Sequence, residues 1–145
     1  DPQIILRAED LFRQAKRLVR AGRSAAAEPV LREAVELNPG EAEFWAYLGW
    51  AVYTAKGSKG IDEAKSVWQK VEEIDDALDV LHEFRGRMAR IEGEDDEAMR
   101  EFKTALSLNP ENADVQRELR LLTVRREQEA NAGIFRKFKQ ILTKS

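Results

Sequence analysis

The sequence predicts an all-α protein built from short helical hairpins. Apolar residues recur at helical spacing along most of the 145 residues and hardly anywhere with the alternation of a strand. Turn-forming residues interrupt this pattern at short intervals, at Gly22, Pro39-Gly40, Gly57–Gly60, Gly93 and Pro110. Because helices of about a dozen residues joined by short turns pack against their chain neighbours, we expect consecutive antiparallel pairs.

The first two predicted helices carry one apolar stripe each. The first stripe consists of Leu11, Ala15, Leu18 and Val19, and the second of Val30, Leu31, Ala34, Val35 and Leu37. Pro29 falls near the start of the second helix, where it lacks a backbone N–H to donate. We therefore predict a distorted first turn in that helix.

The composition is that of a folded helix-rich domain, with 43% hydrophobic and 35% charged residues. A net charge of −3 gives no general attraction to nucleic acid, so we expect no nucleic-acid partner. The absence of cysteine excludes disulfides and thiolate metal sites. No apolar run approaches the roughly 18 residues of a membrane helix. We expect a cytoplasmic location, with which the absence of cysteine is compatible. We also expect a segment of a larger protein, since the chain opens Asp1-Pro2 without Met.

Two segments of the sequence repeat each other. Residues 31–39 read Leu-Arg-Glu-Ala-Val-Glu-Leu-Asn-Pro, and residues 102–110 read Phe-Lys-Thr-Ala-Leu-Ser-Leu-Asn-Pro. The two segments lie about two periods of 34 residues apart. Between them, residues 45–49 read Trp-Ala-Tyr-Leu-Gly.

These motifs resemble the tetratricopeptide repeat family, whose pattern runs Trp-x-x-Leu-Gly-x-x-Tyr, then Ala-x-x-x-Phe, Ala and Pro. Three repeats fall in register, over residues 8–41, 42–78 and 79–112, with three extra residues of the second in the segment Gly57–Gly60. The residues that match are Leu11, Ala15, Leu18, Gly22, Ala27, Leu31, Ala34 and Pro39 in repeat one, Trp45, Leu48, Gly49, Val52, Ala64, Trp68 and Val71 in repeat two, and Gly86, Ala89, Gly93, Ala98, Phe102, Ala105 and Pro110 in repeat three.

The resemblance implies a right-handed superhelix of three hairpins. Because one hairpin cannot bury its apolar face alone, the repeats must stack, and residues 113–130 are expected to form a closing helix on a domain spanning 1–130. Gly49 is expected to pack against Ala64. His82 and Arg85 stand where the pattern has bulky apolar residues, so we expect Leu81 and Phe84 to replace them in the core.

Residues 131–145 form a basic amphipathic tail. Asn131 and Gly133 disfavour helix, so we expect the closing helix to end near Ala130 and a short tail helix to follow. Its apolar positions are Ile134, Phe135, Phe138, Ile141 and Leu142, and its charged positions are Arg136, Lys137, Lys139 and Lys144. The favoured interpretation is that the tail packs back on the repeats as a cap. Docking on a partner comes second, and contact with an anionic membrane surface comes last.

The sequence offers no catalytic, metal or cofactor motif, so we expect a protein that is not an enzyme. The only histidine, His82, has no carboxylate or serine partner at helical spacing. Gly57–Gly60 lacks the full phosphate-loop pattern and is expected to be a loose turn. The acidic run 92–97 lacks the ligand alternation of a calcium loop, and we expect Asp95 or Asp96 to cap the following helix.

The resemblance also implies a partner-binding groove lined by the first helix of each hairpin. The residues expected to bind a partner there are Phe12, Lys16, Arg20, Tyr47, Trp50, Tyr53, Phe84, Arg87 and Arg90. Aromatic residues beside arginines are typical of binding hot spots. Trp50 and Tyr53 could instead pack between neighbouring hairpins, and this alternative stays open at this point.

The expected partner is therefore a protein or peptide with an apolar or aromatic anchor and some acidic residues. The family's carboxylate clamp for chaperone C-termini is missing, because Phe12, Lys16, Tyr47, Val80 and Phe84 occupy its positions. We predict a protein-interaction module that uses no cofactor. The alternatives are self-association with further copies and recruitment to a membrane surface through the tail.

Overall fold

The computed structural model describes residues 1–144 and contains seven α-helices and one 3-10 turn. The α-helices are α1 (Pro2–Arg20), α2 (Ser24–Leu37), α3 (Ala42–Lys56), α4 (Ile61–Ile74), α5 (Asp79–Ile91), α6 (Asp95–Leu108) and α7 (Ala113–Thr143), and the 3-10 turn is η1 (Gly57–Gly60). Helices α1–α2, α3–α4 and α5–α6 pack as hairpins, α3 also contacts α2 and α5, and α7 packs on α6. The predicted fold class, three stacked hairpins and a closing helix, is confirmed.

A small residue on the first helix of a hairpin faces a large one on the second. A Cβ added to Gly49 would lie 2.2 Å from Nε1 of Trp68, and one added to Gly86 would lie 2.6 Å from the Phe102 ring. In the first hairpin the matching positions hold Ala15 and Leu31, both fully buried. The close neighbour of Gly49 is thus Trp68, not the predicted Ala64, because the indole extends across the helix pair.

Leu81 and Phe84 are buried, with 2% and 6% of their surface exposed, as predicted for repeat three. The polar residues beside them are satisfied at the edge of the core. Arg85 pairs with Glu72 at 2.7 Å. The buried stripe of α5 is therefore shifted by one residue from the family pattern, so that apolar side chains still fill the core.

The prediction of a loose turn at Gly57–Gly60 is wrong, because this segment forms the ordered 3-10 turn η1. Ser58 Oγ donates a hydrogen bond of 2.8 Å to a Glu92 carboxylate oxygen. Gly57 has a φ of 64°, in the region that favours glycine. A Cβ on Gly60 would lie 2.9 Å from the Val52 carbonyl oxygen, so the turn needs glycine at both ends.

Two further local predictions are corrected. Pro29 lies at the sixth residue of α2 and does not interrupt the helix, whose first turn has ordinary hydrogen bonds from Ala26 and Ala27 to Arg23. Glu94, rather than Asp95 or Asp96, is the N-cap of α6, and its side chain makes no capping bond. The two aspartates lie in the first turn, where negative charge is favourable at the positive end of the helix dipole.

The prediction that the closing helix ends near Ala130 is also wrong. Helix α7 begins after Asn112, whose side chain accepts a hydrogen bond from the Val115 N–H, and continues unbroken to Thr143. Asn131 and Gly133 cost about 1 kcal/mol or less each in a helix, too little to end it without a proline or a left-handed residue. The amphipathic tail therefore extends the closing helix instead of forming a helix of its own.

The apolar residues of the tail are exposed. Ile134, Phe135, Phe138 and Ile141 show 61–68% of their surface, whereas Leu122 in the first half of α7 is 2% exposed. The favoured expectation, that the tail packs back on the repeats, is therefore wrong. A continuous helix cannot reverse its direction, so its last turns leave the repeats behind. Within residues 1–144, no helix combines the length and hydropathy needed to cross a bilayer.

Candidate protein-binding groove

A cavity of about 630 Å³ opens between the first helices of the three hairpins and the start of α7. We call this cavity the groove. It is lined by Val19, Arg20, Gly22, Ser24, Tyr47, Trp50, Thr54, Glu83, Phe84, Arg87, Asn112 and Asp114. Its residues come from five helices, α1, α2, α3, α5 and α7, and from the turns before α2 and α7, so its shape depends on how the hairpins stack.

Aromatic rings of three helices form a continuous ladder, of which Tyr47, Trp50 and Phe84 line the groove. The Phe12 ring lies 5.1 Å from Tyr47, and Tyr47 lies 5.0 Å from Phe84, both in edge-to-face contact. Trp50 stacks on Phe84 at 5.1 Å with an angle of 4° between the rings. Because these rings belong to α1, α3 and α5, the ladder joins all three hairpins and holds Trp50 in one orientation.

The structure brings five of the nine expected partner-binding residues into the groove. Arg20, Tyr47, Trp50, Phe84 and Arg87 line it. Trp50 and Tyr47 are half-buried, so each presents part of its ring to the cavity. Phe84 is buried beneath them and supports the Trp50 ring. An anchor of this kind, rigid and partly exposed, can accept an apolar side chain from a partner.

Phe12, Lys16, Tyr53 and Arg90 do not line the groove. Phe12 is 3% exposed and packs on Phe44, with 4.7 Å between ring centres. Lys16 lies over the Phe12 ring at 4.6 Å. The expectation of direct partner contact is therefore corrected for Phe12, since the hairpin contact already covers its ring.

The expectation of direct partner contact is also corrected for Tyr53, because it is 2% exposed and connects two hairpins. Its hydroxyl donates a hydrogen bond of 2.6 Å to a carboxylate oxygen of Glu92. Burial, followed by the bond to Glu92, raises the pKa of Tyr53. The bonds from Tyr53 and Ser58 lower the pKa of the Glu92 carboxyl. The alternative of packing between hairpins thus describes Tyr53, whereas Trp50 keeps an exposed edge.

The uncompensated charge of the groove is positive. Arg87 is paired with Glu83 at 2.8 Å, and Glu83 also accepts a 2.7 Å hydrogen bond from the Asn112 side chain. Asp114 pairs with Arg117 at 2.5 Å. Arg20 is exposed and makes no ion pair within residues 1–144. An acidic group of a partner would therefore meet an available guanidinium at Arg20.

Arg90 does not line the groove and pairs with Glu118 of α7 at 2.8 Å. Its role in the structure is to attach the closing helix to the third hairpin. An arginine already engaged in this way offers less to a partner than Arg20 does, so Arg90 is a weaker candidate for the binding surface.

Sequence reasoning missed two groove residues at the start of α7, Asn112 and Asp114. The sequence places Asp114 in the closing helix and Asn112 at the end of repeat three, so neither is predicted to contact a partner. The polar side chains Ser24 and Thr54, whose hydroxyls lie 2.6 Å apart, also line the cavity. Burial is the largest cause of a raised pKa at Tyr47. The signal available in the sequence was the helix-capping asparagine, whose position at a turn brings it beside the groove.

His82 has a carboxylate neighbour after all, since its Nδ1 lies 2.8 Å from Glu101 Oε2 of α6. Both side chains are 17% exposed. Helical spacing within α5 could not reveal this partner, because it comes from the other helix of the hairpin. The pair lies outside the groove and joins α5 to α6.

Comparisons with known proteins agree with the geometry. A family model described as tetratricopeptide repeat matches residues 12–58, which run from the middle of α1 through α2 and α3 into η1. A comparison with curated proteins gives no match.

Several solved structures have the same fold. The complex of Naa15/Naa10 bound to HypK-THB aligns with a TM-score of 0.73 and 23% identity over 86% of this chain, which corresponds to 18% of that chain. The first TPR domain of Spaghetti, bound to an HSP90 peptide, aligns with a TM-score of 0.66 and 17% identity over 81% of this chain and 94% of its own. The Yersinia enterocolitica secretion chaperone SycD, in complex with a YopD peptide, aligns with a TM-score of 0.60 and 17% identity over 81% of this chain and 93% of its own.

Proposed function

We propose that the chain holds a segment of another polypeptide in the groove, because a tetratricopeptide repeat model matches residues 12–58 and the fold is shared with tetratricopeptide repeat domains. The observation that carries this proposal is the half-exposed Trp50 ring, stacked on Phe84 beside an arginine without an ion pair. The stack fixes the indole before a partner arrives, so little side-chain freedom remains to be lost on binding.

The chemistry of the lining indicates what the partner segment contains. An apolar or aromatic side chain would pack on the exposed edges of Trp50 and Tyr47. An acidic residue near it would pair with Arg20, which lies on the same cavity. Asn112 and Thr54 supply polar groups for the partner's backbone. The proposed ligand is therefore an extended or helical segment with an apolar anchor and at least one carboxylate.

Two of the structurally similar proteins support peptide binding as a use of this fold. The Spaghetti domain binds an HSP90 peptide, and SycD binds a peptide of the translocator YopD. This chain lacks the basic and amide residues of the carboxylate clamp, since Phe12 and Phe84 are buried aromatics at two of its positions. We therefore propose recognition through an aromatic anchor within the partner rather than through a terminal carboxylate.

The proposal is tested by replacing Trp50. The chain is first used to capture its partner from a cell extract, and binding of the isolated partner segment is then measured by calorimetry. We expect Trp50→Ala to weaken binding by about 2 kcal/mol or more without loss of helical content. Leu108→Ala, at a 40% exposed apolar residue outside the groove, is the matched control and should bind normally.

A charge reversal gives a second reading of the same site. Arg20→Glu should slow association and reduce its dependence on salt if the partner is acidic. Normal binding by both the Trp50 and Arg20 variants would show that the partner docks elsewhere. Light scattering over a range of concentrations shows whether the captured partner is a further copy of this chain, which is the alternative of self-association.

A further inference from the structure

The last turns of α7 carry a wide apolar face. At about 100° per residue, Ile134, Phe135, Phe138, Ile141 and Leu142 fall within an arc of about 120°. We call this arc the tail face. Its members show 61–68% of their surface, which makes it the most exposed group of large apolar side chains in residues 1–144. Contiguous exposed apolar patches on folded proteins mark interaction sites.

Basic residues border the tail face on both sides. Lys137 and Lys139 each lie about 40° beyond an edge of the arc, Lys144 lies about 60° beyond the edge that Lys137 borders, and Arg136 lies on the opposite side of the helix. Residues 131–145 contain no acidic side chain. Since the whole chain has a net charge of −3 and this segment carries +4, residues 1–130 carry −7. Positive charge is thus concentrated on the tail.

The tail face points away from the surface that anchors α7. Val115, Leu119 and Leu122 pack on α6, and their mean direction differs from that of the tail face by about 130°. Arg125 and Arg126 make the last ion pairs to the third hairpin, with Asp95 and Asp96. Glu129 still lines a cavity with Gly93 and Glu94 of the third hairpin. Beyond it, no side chain of residues 130–141 bonds to the repeats, so about 20 Å of helix projects beyond them.

We propose that the tail face lies on an anionic membrane surface and recruits the repeat domain to it. The apolar side chains would enter the boundary between headgroups and acyl chains, with the helix parallel to the surface. Lys137 and Lys139 would extend from both edges of the face to reach lipid phosphates. The net acidic repeats would stay away from the lipid, held at a distance by the projecting helix.

The chemistry of the tail favours a membrane over a protein as its occupant. A specific protein interface has about one hydrogen bond per 100–200 Å², and the tail face itself offers hydrocarbon with no polar group. Pairing of two tails from two copies would place the bordering lysines of both chains beside each other. A flat anionic surface satisfies both the wide apolar arc and the lysines on its two sides.

The test measures co-flotation of the full chain with vesicles at low salt. Vesicles of phosphatidylcholine alone are compared with vesicles containing phosphatidylglycerol. We expect the bound fraction to be about tenfold higher with the anionic lipid, and to fall about tenfold in the double variants Phe135→Glu/Phe138→Glu and Lys137→Glu/Lys139→Glu. Circular dichroism checks that each variant stays helical.

Matched controls remove the effect of charge alone. Leu121→Glu alters an apolar residue of the same helix that is 58% exposed but outside the tail face. Lys65→Glu/Lys103→Glu makes the same change of charge on the exposed surface of the repeats. Both controls should bind vesicles like the native chain, and so should Trp50→Ala, because the groove is a separate site.

Three results would overturn the proposal. They are absence of flotation with anionic vesicles, equal flotation of the tail-face variants and the native chain, and a concentration-dependent rise in mass that the tail-face variants abolish while vesicles stay unbound. The last result would identify a second copy as the occupant. Because the groove is tested with Trp50→Ala and a partner segment, failure here leaves the proposed function standing, and the reverse also holds.

Discussion

At the scale of single residues, each hairpin depends on one small side chain. The rings of Trp68 and Phe102 lie so close to the backbone of Gly49 and Gly86 that a Cβ at either position would clash with them. The Trp68 indole is fully buried, and its Nε1 donates a 2.9 Å hydrogen bond to the Ala46 carbonyl. The indole is therefore fixed by both packing and a polar bond and cannot easily move aside.

Gly49→Leu should overpack the second hairpin and lower the free energy of unfolding by about 1–3 kcal/mol or more. Chemical denaturation followed by circular dichroism measures this loss. Gly40→Ala is the control, since the nearest atom to its added Cβ is the Asn38 side-chain oxygen at 3.9 Å. Equal stability of the two variants would contradict the contact between Gly49 and Trp68.

The bond between Tyr53 and Glu92 gives stability a dependence on pH. The hydrogen bonds from Tyr53 and Ser58 lower the pKa of Glu92 below its ordinary value of 4.5 in the folded chain. Such a carboxylate contributes stability that is fully present above the unfolded pKa and is lost as pH falls through the folded pKa.

Tyr53→Phe keeps the ring but removes the donor, so it should be less stable than the native chain at pH 7. The difference should begin to shrink as the pH falls below about 4.5 and should be smallest below the lowered pKa of Glu92, where the carboxyl is protonated in both proteins. Urea unfolding at a series of pH values measures the difference. Tyr47→Phe is the control, because the Tyr47 hydroxyl makes no hydrogen bond within residues 1–144; a constant gap for Tyr53→Phe would refute the linkage.

At the scale of single elements, α7 has two parts with different roles. Its first part covers the third hairpin through Val115 and Leu122, which are 0% and 2% exposed. Its second part carries the exposed tail face. The two parts are one helix, so the orientation of the tail is set by the packing of the first part on α6.

The neighbouring residues Leu121 and Leu122 test this division. Leu122→Ala should destabilise the chain by about 2–5 kcal/mol, because it leaves a cavity between α7 and α6. Leu121→Ala should change stability by about 0.5 kcal/mol or less, since Leu121 is 58% exposed. Thermal unfolding compares the two variants. Similar losses from both would mean that α7 is rotated relative to the structure described above.

At the scale of the whole molecule, the aromatic ladder couples the three hairpins. Stacked repeats interact only with their neighbours, so their cooperativity depends on the contacts between them. Phe84 is the ring of the third hairpin that touches both Tyr47 and Trp50 of the second. It therefore connects the groove wall to the stability of the stack.

Phe84→Ala should cost about 3–5 kcal/mol and weaken the coupling between the second and third hairpins. All three tryptophans, Trp45, Trp50 and Trp68, lie in the second hairpin. Unfolding by urea can thus be followed there by fluorescence and over the whole chain by circular dichroism. The two curves should coincide for the native chain and separate for Phe84→Ala. Coinciding curves with unchanged stability in the variant would show that the ladder carries no coupling.

The sequence by itself determined the hairpins. Apolar stripes of helical period and breakers such as Gly22, Gly93 and Pro110 act over a few residues, so they can be interpreted without knowing the fold. The recurrence of small residues at matching places also indicated that α1–α2, α3–α4 and α5–α6 touch, but not that the residue facing Gly49 is Trp68. The same local periodicity indicated that Leu81 and Phe84, rather than His82 and Arg85, lie in the core.

Only the tertiary structure decided which residues face the groove and where the tail lies. Trp50 and Tyr53 are three residues apart on α3, yet the stacking of α5 buries Tyr53 and leaves an edge of Trp50 exposed. The indole at Trp68 reaches Gly49 across a hairpin, and His82 finds Glu101 on another helix, at separations that local patterns do not cover. Helix α7 continues past Asn131 and Gly133 because their helix propensities together cost too little to end a helix in the absence of proline. Burial and partner choice are properties of the packed chain, because each depends on atoms that the sequence brings together only after folding.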